Sequence, residues 1–326
     1  MNVPVTTDEA VERFSAVLHR EEFLAELKRT LPSLGQDEPF RDMSLRMLKP
    51  HKNRVTFEMS IKTMGGSQSV LCKCHLDNRQ DVFDAMQVIY NAGFGAGAEF
   101  AIAKPVAYLS SFNTLLEEMV HGTRSSEVFL GGKPDEQIGA ARRCAAWLAR
   151  FHNFGPQQGK TANPEEFILQ LQRWTNMIKQ CNASFSDKCD ELFHRLEAVA
   201  PTAGTLRLCP GHGSYMAGHV FFEGSRAVVI DLDEYDMADP ARDLAWFIVY
   251  LKRLGLKHNA NLHVFDQTVE AFLASYSEYA GRDPTRHLGF YIAAECVHRA
   301  RRDVCWRMPS SPEWGQVMLD EGLRSL

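Results

Sequence analysis

The hydrophobic period of this chain changes partway along, and that change limits the architectures open to it. Val55, Phe57, Met59 and Ile61 alternate with more polar neighbours, the period of two of a half-buried strand. Met64-Gly65-Gly66-Ser67 reads as a turn and Ser69 to His75 as a second strand, which predicts a hairpin with glycines at its tip. Residues 80–92 switch to helical spacing through Val82, Phe83, Met86, Ile89 and Tyr90, and Gly93 stands where a helix-ending glycine belongs. Thr114 to Val120 returns to strand, and Gly122 breaks it. Beyond Gly122 helical spacing dominates, over Glu136 to Phe154, 165–200, 243–254, 264–280 and 285–305. Between them lie a glycine-rich irregular run, Leu206 to Arg226, and a short apolar strand, Ala227 to Leu232. Strands first and helices afterwards predict an α+β chain of two lobes, a small β-rich N-terminal one and a larger, mainly helical C-terminal one. The expected parts are an N-terminal helical extension over 1–50, a first lobe over 51–122 and a second over 123–326. The extension carries a helix over 7–30 capped by Thr7.

Composition narrows the functions. The 326 residues suffice for two domains with real cores, and 45% hydrophobic with 24% charged residues is an ordinary globular balance. A net charge of −5 and the absence of a basic block argue against nucleic acid as a partner. The longest apolar stretch, Leu244 to Leu251, is far shorter than the ~20 residues of a membrane helix. Met1 to Glu9 holds acids and a proline where a signal peptide would be basic and then apolar, so a cytoplasmic location is expected. The 8 cysteines are scattered, with no C-x-x-C pair, and are expected to be small buried thiols in a reducing compartment.

The richest chemistry lies between Cys209 and Asp243. His212-Gly213-Ser214 sits in the glycine-rich loop, a hairpin follows through Val220 to Phe222 and Ala227 to Ile230, and Asp231 and Asp233 come at its end. Alternate residues of a strand point the same way, so both carboxylates are expected to aim at one place. Such a pair beside a glycine loop suits Mg²⁺, which takes one or two carboxylates and completes its shell with phosphate oxygens. On spacing alone, two aspartates capping a turn explain the pattern equally well. Ser214 lacks the Gly-x-Ser-x-Gly context of a hydrolase nucleophile, and His212 with His219 lacks a zinc-ligand spacing.

This segment resembles the catalytic stretch of the aminoglycoside phosphotransferase and choline kinase family. That family carries His-Gly-Asp, four residues, Asn, a hairpin, Ile-Asp-x-Glu/Asp, and then Asp-Pro-x-x-Asp-Leu-Ala. Here stand His212-Gly213-Ser214, His219, Ile230-Asp231-Leu232-Asp233 and Asp239-Pro240-Ala241-Arg242-Asp243-Leu244-Ala245. The resemblance runs from about residue 50 to the C-terminus and implies a protein-kinase-like fold. Val70-Leu71-Cys72-Lys73 is similar to the strand whose lysine holds nucleotide phosphates, with Asp84 on the next helix where the lysine's glutamate partner belongs. Leu115 to Gly122 is similar to the hinge between lobes, so Glu117, Glu118 and Met119 are the expected adenine contacts. Trp147 to His152 resembles the helix that follows the hinge.

The resemblance implies ATP and Mg²⁺ as cofactors and a small-molecule alcohol as acceptor. Asp231, with Asp233 and His219, would stand at the metal, and Ser214, Asp233 and His212 at the catalytic positions. His212 is expected to hold the loop, Asp243 to cap its helix and brace that loop, and Asp239-Pro240 to form a turn. Two positions depart from the family: Ser214 replaces the catalytic aspartate and His219 the metal-binding asparagine. A serine hydroxyl is a weak base, and imidazole suits Mg²⁺ less well than a hydrogen bond within the loop. Two functions therefore stand side by side: a small-molecule kinase, and a catalytically impaired nucleotide-binding or interaction module.

Overall fold

The computed structural model of the chain describes residues 21–30, 42–50, 53–63, 66–281, 283, 285–307 and 309–326. Residues 7–20 of the helix expected over 7–30, with its cap Thr7, and the turn residues Met64 and Gly65 lie outside them. The chain divides into two compact units, Met1–Gly122 with Glu223–Ile230, and Thr123–Phe222 with Asp231–Leu326.

In the first unit the sequence period becomes a sheet. Strands β1 (Asp42–Pro50), β2 (Arg54–Thr63), β3 (Gly66–His75), β5 (Pro105–Leu109) and β6 (Thr114–Glu118) form one antiparallel sheet in the order β1-β2-β3-β6-β5. Helix α1 (Glu21–Thr30) buries Phe23 and Leu27 in one core with Val55, Phe57, Met59, Cys72, Cys74 and Leu116. The alternation at Val55 to Ile61 marks the sheet face that this core occupies. The opposite face carries Thr56, Lys73 and Glu117, set there by the registers Thr56↔Lys73 and Leu71↔Glu117. Helix α2 (Gln80–Ile89) follows, and a wide turn ends near Gly93, whose φ of +100° is cheap only for glycine. Short β4 (Phe100–Ile102) completes this part.

Residues 42–50 depart from the expected helical extension. They pair with β2 from Asp42↔Lys62 onward, with a bulge between Met47 and Lys49. Met43 and Leu45 pack against the core between exposed Ser44 and Arg46, but Met47 to Pro50 are all exposed, as on an edge strand, so the period of two lasts too few residues to stand out in the sequence.

The second unit is mainly helical: α3 (Ser125–Gly131), α4 (Pro134–Phe154), α5 (Pro164–Cys181), α6 (Ser186–Ala198), α7 (Pro240–Asn259), α8 (Asp266–Ala280), α9 (Leu288–Arg301) and α10 (Pro312–Arg324). Short strand β7 (Thr123–Arg124) pairs with β9 (Val220–Glu223), and β8 (Cys209–Gly211) with β11 (Asp236–Ala238). Strand β10 (Arg226–Val229) belongs to the first unit, where it runs parallel to β4. No helix among the described residues is long and apolar enough to cross a membrane. Six cysteines are buried free thiols, as expected, and burial pushes Cys144 up to about 12. Cys181 and Cys305 depart from that expectation. They form a disulfide that ties the end of α5 to the turn after α9.

Candidate active site

In the second unit the site is assembled around one carboxylate. Asp239 caps α7, its side chain accepting from the Ala241 amide at 2.9 Å, with Pro240 at the first helical position where no N–H is needed. The cap is therefore Asp239 rather than Asp243. The other oxygen of Asp239 accepts from His287 Nδ1, at 2.7 Å.

One turn further, Asp243 is 1% exposed and is gripped from three sides. The amides of His212 and Gly213 donate to its two oxygens at 2.7 and 2.9 Å, and His152 Nε2 lies 3.2 Å from Oδ2. His152 Nδ1 is 2.8 Å from the Tyr276 hydroxyl. Nε2–H donates to the carboxylate, and Nδ1 shares a hydrogen bond with the Tyr276 hydroxyl. Burial alone would raise the Asp243 carboxyl, but the hydrogen bond and charge of His152, with Arg242 and His212 behind it, outweigh that and hold it at about 2. The aspartate thus fixes the loop as a permanent anion.

Gly213 must be glycine. Its φ is +81°, and a Cβ there would stand 2.1 Å from the Glu234 carbonyl. Behind the loop, flat rings stack in series. Trp147 lies on Phe151 at 5.0 Å and on Tyr215 at 5.5 Å, Tyr215 on Phe247 at 5.7 Å, and Phe247 on Phe272 at 4.1 Å. Such pairs are each worth ~0.5–1.5 kcal/mol beyond the area they bury, so the stack anchors Tyr215 and with it the chain at Ser214. Its hydroxyl donates to the Cys144 carbonyl at 2.8 Å. Arg242 grips Asp236 through both terminal nitrogens and fixes the turn on the other side.

The expected residues fall into three groups. His212 is fully buried, its ring packed against Trp147, Tyr215 and His219, and its backbone is what Asp243 holds. His219 Nε2 lies 3.3 Å from Asp231 Oδ2, so the imidazole meets the expected metal carboxylate directly. Ser214, Asp231 and Asp233 are half-buried beside these groups. Strand geometry does not aim the two aspartates, because β10 ends at Val229 and Asp231 adopts a left-handed φ of +67°. Among the described residues no three His, Cys, Asp or Glu side chains draw together as a metal cage.

In the first unit Lys73 is 3% exposed and its Nζ lies 2.8 Å from Glu117 Oε1. The expected partner, Asp84, is exposed and accepts from Gln80 Nε2 at 2.9 Å. Register explains the exchange. Lys73 stands opposite Leu115, so Glu117 is its diagonal neighbour on the same sheet face. Glu117 thus contributes a buried side chain. The Glu118 amide is already used, donating to the Lys104 carbonyl at 2.9 Å.

Known proteins bear on this arrangement. The model of the phosphotransferase enzyme family matches residues 65–290. A protein of Ralstonia eutropha JMP134, provisionally described as an aminoglycoside phosphotransferase, superposes with a TM-score of 0.62 at 18% identity, over 93% of this chain and 97% of that one. Choline kinase of Cryptosporidium parvum Iowa II gives 0.65 at 9% identity, over 94% of each. A glucosamine kinase bound to glucosamine, ADP and inorganic phosphate gives 0.59 at 14%, over 94% of this chain and 83% of that one. At such identities the likeness is one of fold, which is kinase-like. No curated protein matches the sequence at a significant level.

Proposed function

The chain belongs to the phosphotransferase enzyme family, and from that premise we propose that it transfers the γ-phosphate of ATP to a hydroxyl of a small molecule. The observation that carries the reading is the Asp243 clamp. A carboxylate held ionised in the core fixes the loop from His212 to His219, and with it the half-buried Ser214. Lys73, held by Glu117, is the proposed phosphate contact, and the backbone at Glu118 and Met119 the proposed adenine contact.

Asp231 and Asp233 fit Mg²⁺, which binds through one or two carboxylates, water and phosphate oxygens. The ion would neutralise charge on the transferring phosphoryl group. With serine at 214, orientation of the acceptor hydroxyl falls to Asp233, and Ser214 supplies no more than a neutral hydrogen bond worth ~0.5–1.5 kcal/mol. A second reading, an impaired nucleotide-binding module, is favoured by the contact between His219 and Asp231, which engages the metal carboxylate within the protein.

Calorimetry with ATP and Mg²⁺ tests the first reading. Ligand at 100 times its Kd stabilises by ~2.7 kcal/mol, and Asp231→Asn is expected to remove the metal-dependent part while leaving the apo protein folded. Absence of any shift at millimolar nucleotide would refute nucleotide binding. ATP consumption in an acceptor screen then separates the kinase from the impaired module. Asp233→Asn should reduce turnover far more than Ser214→Ala, and the reverse order would overturn these roles.

A further inference from the structure

The second unit also holds a cavity of about 480 Å³ whose lining is strongly cationic. Arg253 and Lys257 come from the end of α7, Arg299 from α9, and Arg302 and Arg307 from the turn that follows it. One carboxylate, Asp303, shares the lining, and Arg253 already holds both its oxygens, at 2.5 and 2.6 Å. Glu295, the partner of Arg299 at 2.5 Å, also takes His298. Among the described residues no carboxylate stands within ion-pair distance of Lys257, Arg302 or Arg307.

Two further observations make this more than a charged surface. Arg299 is 8% exposed, yet its Nη2 has no hydrogen-bond partner in the protein. A buried guanidinium nitrogen without an acceptor is costly unless something outside the chain supplies one. The cations also oppose one another. Arg302, though exposed at its outer end, is held below the usual arginine range by partial desolvation first and by Arg299 next, with Glu295 and Asp303 opposing. Crowding like charges weakens the apo protein and is tolerated where an anion completes the cluster.

The walls describe the rest of the ligand. Trp306 is 56% exposed with the Arg301 guanidinium over one face at 4.0 Å, and Trp314 carries that of Arg307 at 4.2 Å, so aromatic surface alternates with the charges. The disulfide at Cys305 fastens the turn that carries Arg302, Trp306 and Arg307 to α5, and so preorganises it. Tyr250, another wall, approaches the loop ahead of His219: a Cβ on Gly218 would stand 3.2 Å from its hydroxyl.

We propose that this cavity is an anion-binding site for a small molecule carrying a phosphate or carboxylate on a flat ring. Arginine forks suit both groups, and the tryptophans stack on the ring. Because Tyr250 borders the candidate loop, the same site receives the acceptor, which is then an anionic alcohol rather than an amine. That last step rests on the phosphotransferase reading; the anion site does not.

Phenyl phosphate is the probe, titrated calorimetrically into the full chain at low salt. The expected result is saturable binding, tighter than that of inorganic phosphate, weakened at least about tenfold in the Arg302→Gln/Arg307→Gln variant and retained in Lys73→Ala. Both arginines are exposed, so the double variant should fold, and its nucleotide response should match that of the unaltered chain. No saturable binding, or binding indifferent to the double variant, overturns the site. Binding that vanishes in Lys73→Ala instead assigns the probe to the nucleotide's phosphate position and also overturns it. In an acceptor screen, ATP consumption is expected with anionic alcohols, with kcat/KM falling in the double variant at unchanged KM for ATP. Consumption driven only by amine-bearing alcohols removes the acceptor role. A missing nucleotide response with intact probe binding refutes the kinase reading alone.

Discussion

Helix α7 has a charged group near each end, and the two are treated in opposite ways. Near its start Asp243 is a buried anion that meets two backbone amides and one imidazole. Near its end Arg253 and Lys257 face a cavity where cations outnumber carboxylates. The first charge is satisfied entirely within the chain, so its role is to hold shape. The second cluster is left short of counter-charge, so its completion has to come from outside. Internal satisfaction separates a positioning residue from a binding residue even where both are strongly charged and partly or wholly buried.

The largest effect should come from breaking the satisfied end. Asp243→Asn keeps the shape but removes the charge and one acceptor oxygen, leaving a buried amide and His152 with poorer partners. Unpairing a buried ionic group typically costs ~3–5 kcal/mol, and urea melts of the variant should show a loss of that order. A loss below about 1 kcal/mol would mean that the clamp is dispensable and the contrast between the two ends is false.

Acid should attack the same end more gently. The carboxyl sits at about 2 in the folded chain, below its value of 3.8 when unperturbed. A group whose folded value is depressed adds stability above its unfolded value, and that stability is lost as pH falls through the folded one. The shift corresponds to about 2 kcal/mol, present above pH ~4 and gone near pH 2. Melts between pH 5 and 2 should show this component in the unaltered chain and not in Asp243→Asn. Equal acid sensitivity in both would place the titration elsewhere.

How much of this was legible in the sequence follows from how local each feature is. The clamp is written in short motifs, His212-Gly213 and Asp239-Pro240 through Asp243, whose spacing survives without knowledge of the fold. The lobes followed from the change of hydrophobic period at Gly122. Lys73 was legible but its partner was not, because a strand register decides between Asp84 and Glu117. His152 and Tyr276 lie 124 residues apart, and the ring stack behind Tyr215 draws on three helices, so neither leaves a local pattern. The cavity was hidden for a related reason. The four arginines between 299 and 307 read as the end of a helix, and only the packing of α7 and α10 beside them reveals a shared space.

The smallest effect is the one that tests the unsatisfied end without any ligand. Arg302→Gln removes a positive charge that is repelled by Arg299 more than it is relieved by either Glu295 or Asp303, neither of which stands within ion-pair distance of it. If the cluster is held against its own repulsion, the variant should be slightly more stable than the unaltered chain, by ~0.5 kcal/mol at low salt. The gain should shrink as salt rises, since screening already relieves the repulsion in the parent. An arginine that merely packs or bridges would give the opposite sign, because its loss would cost contacts. Thermal melts at two ionic strengths resolve the question. A stabilisation that salt erases, in a variant that binds phenyl phosphate less well, is the signature of a residue kept for a ligand at the expense of the fold. A destabilisation indifferent to salt would make Arg302 structural, and would bring the two ends of α7 back under one rule.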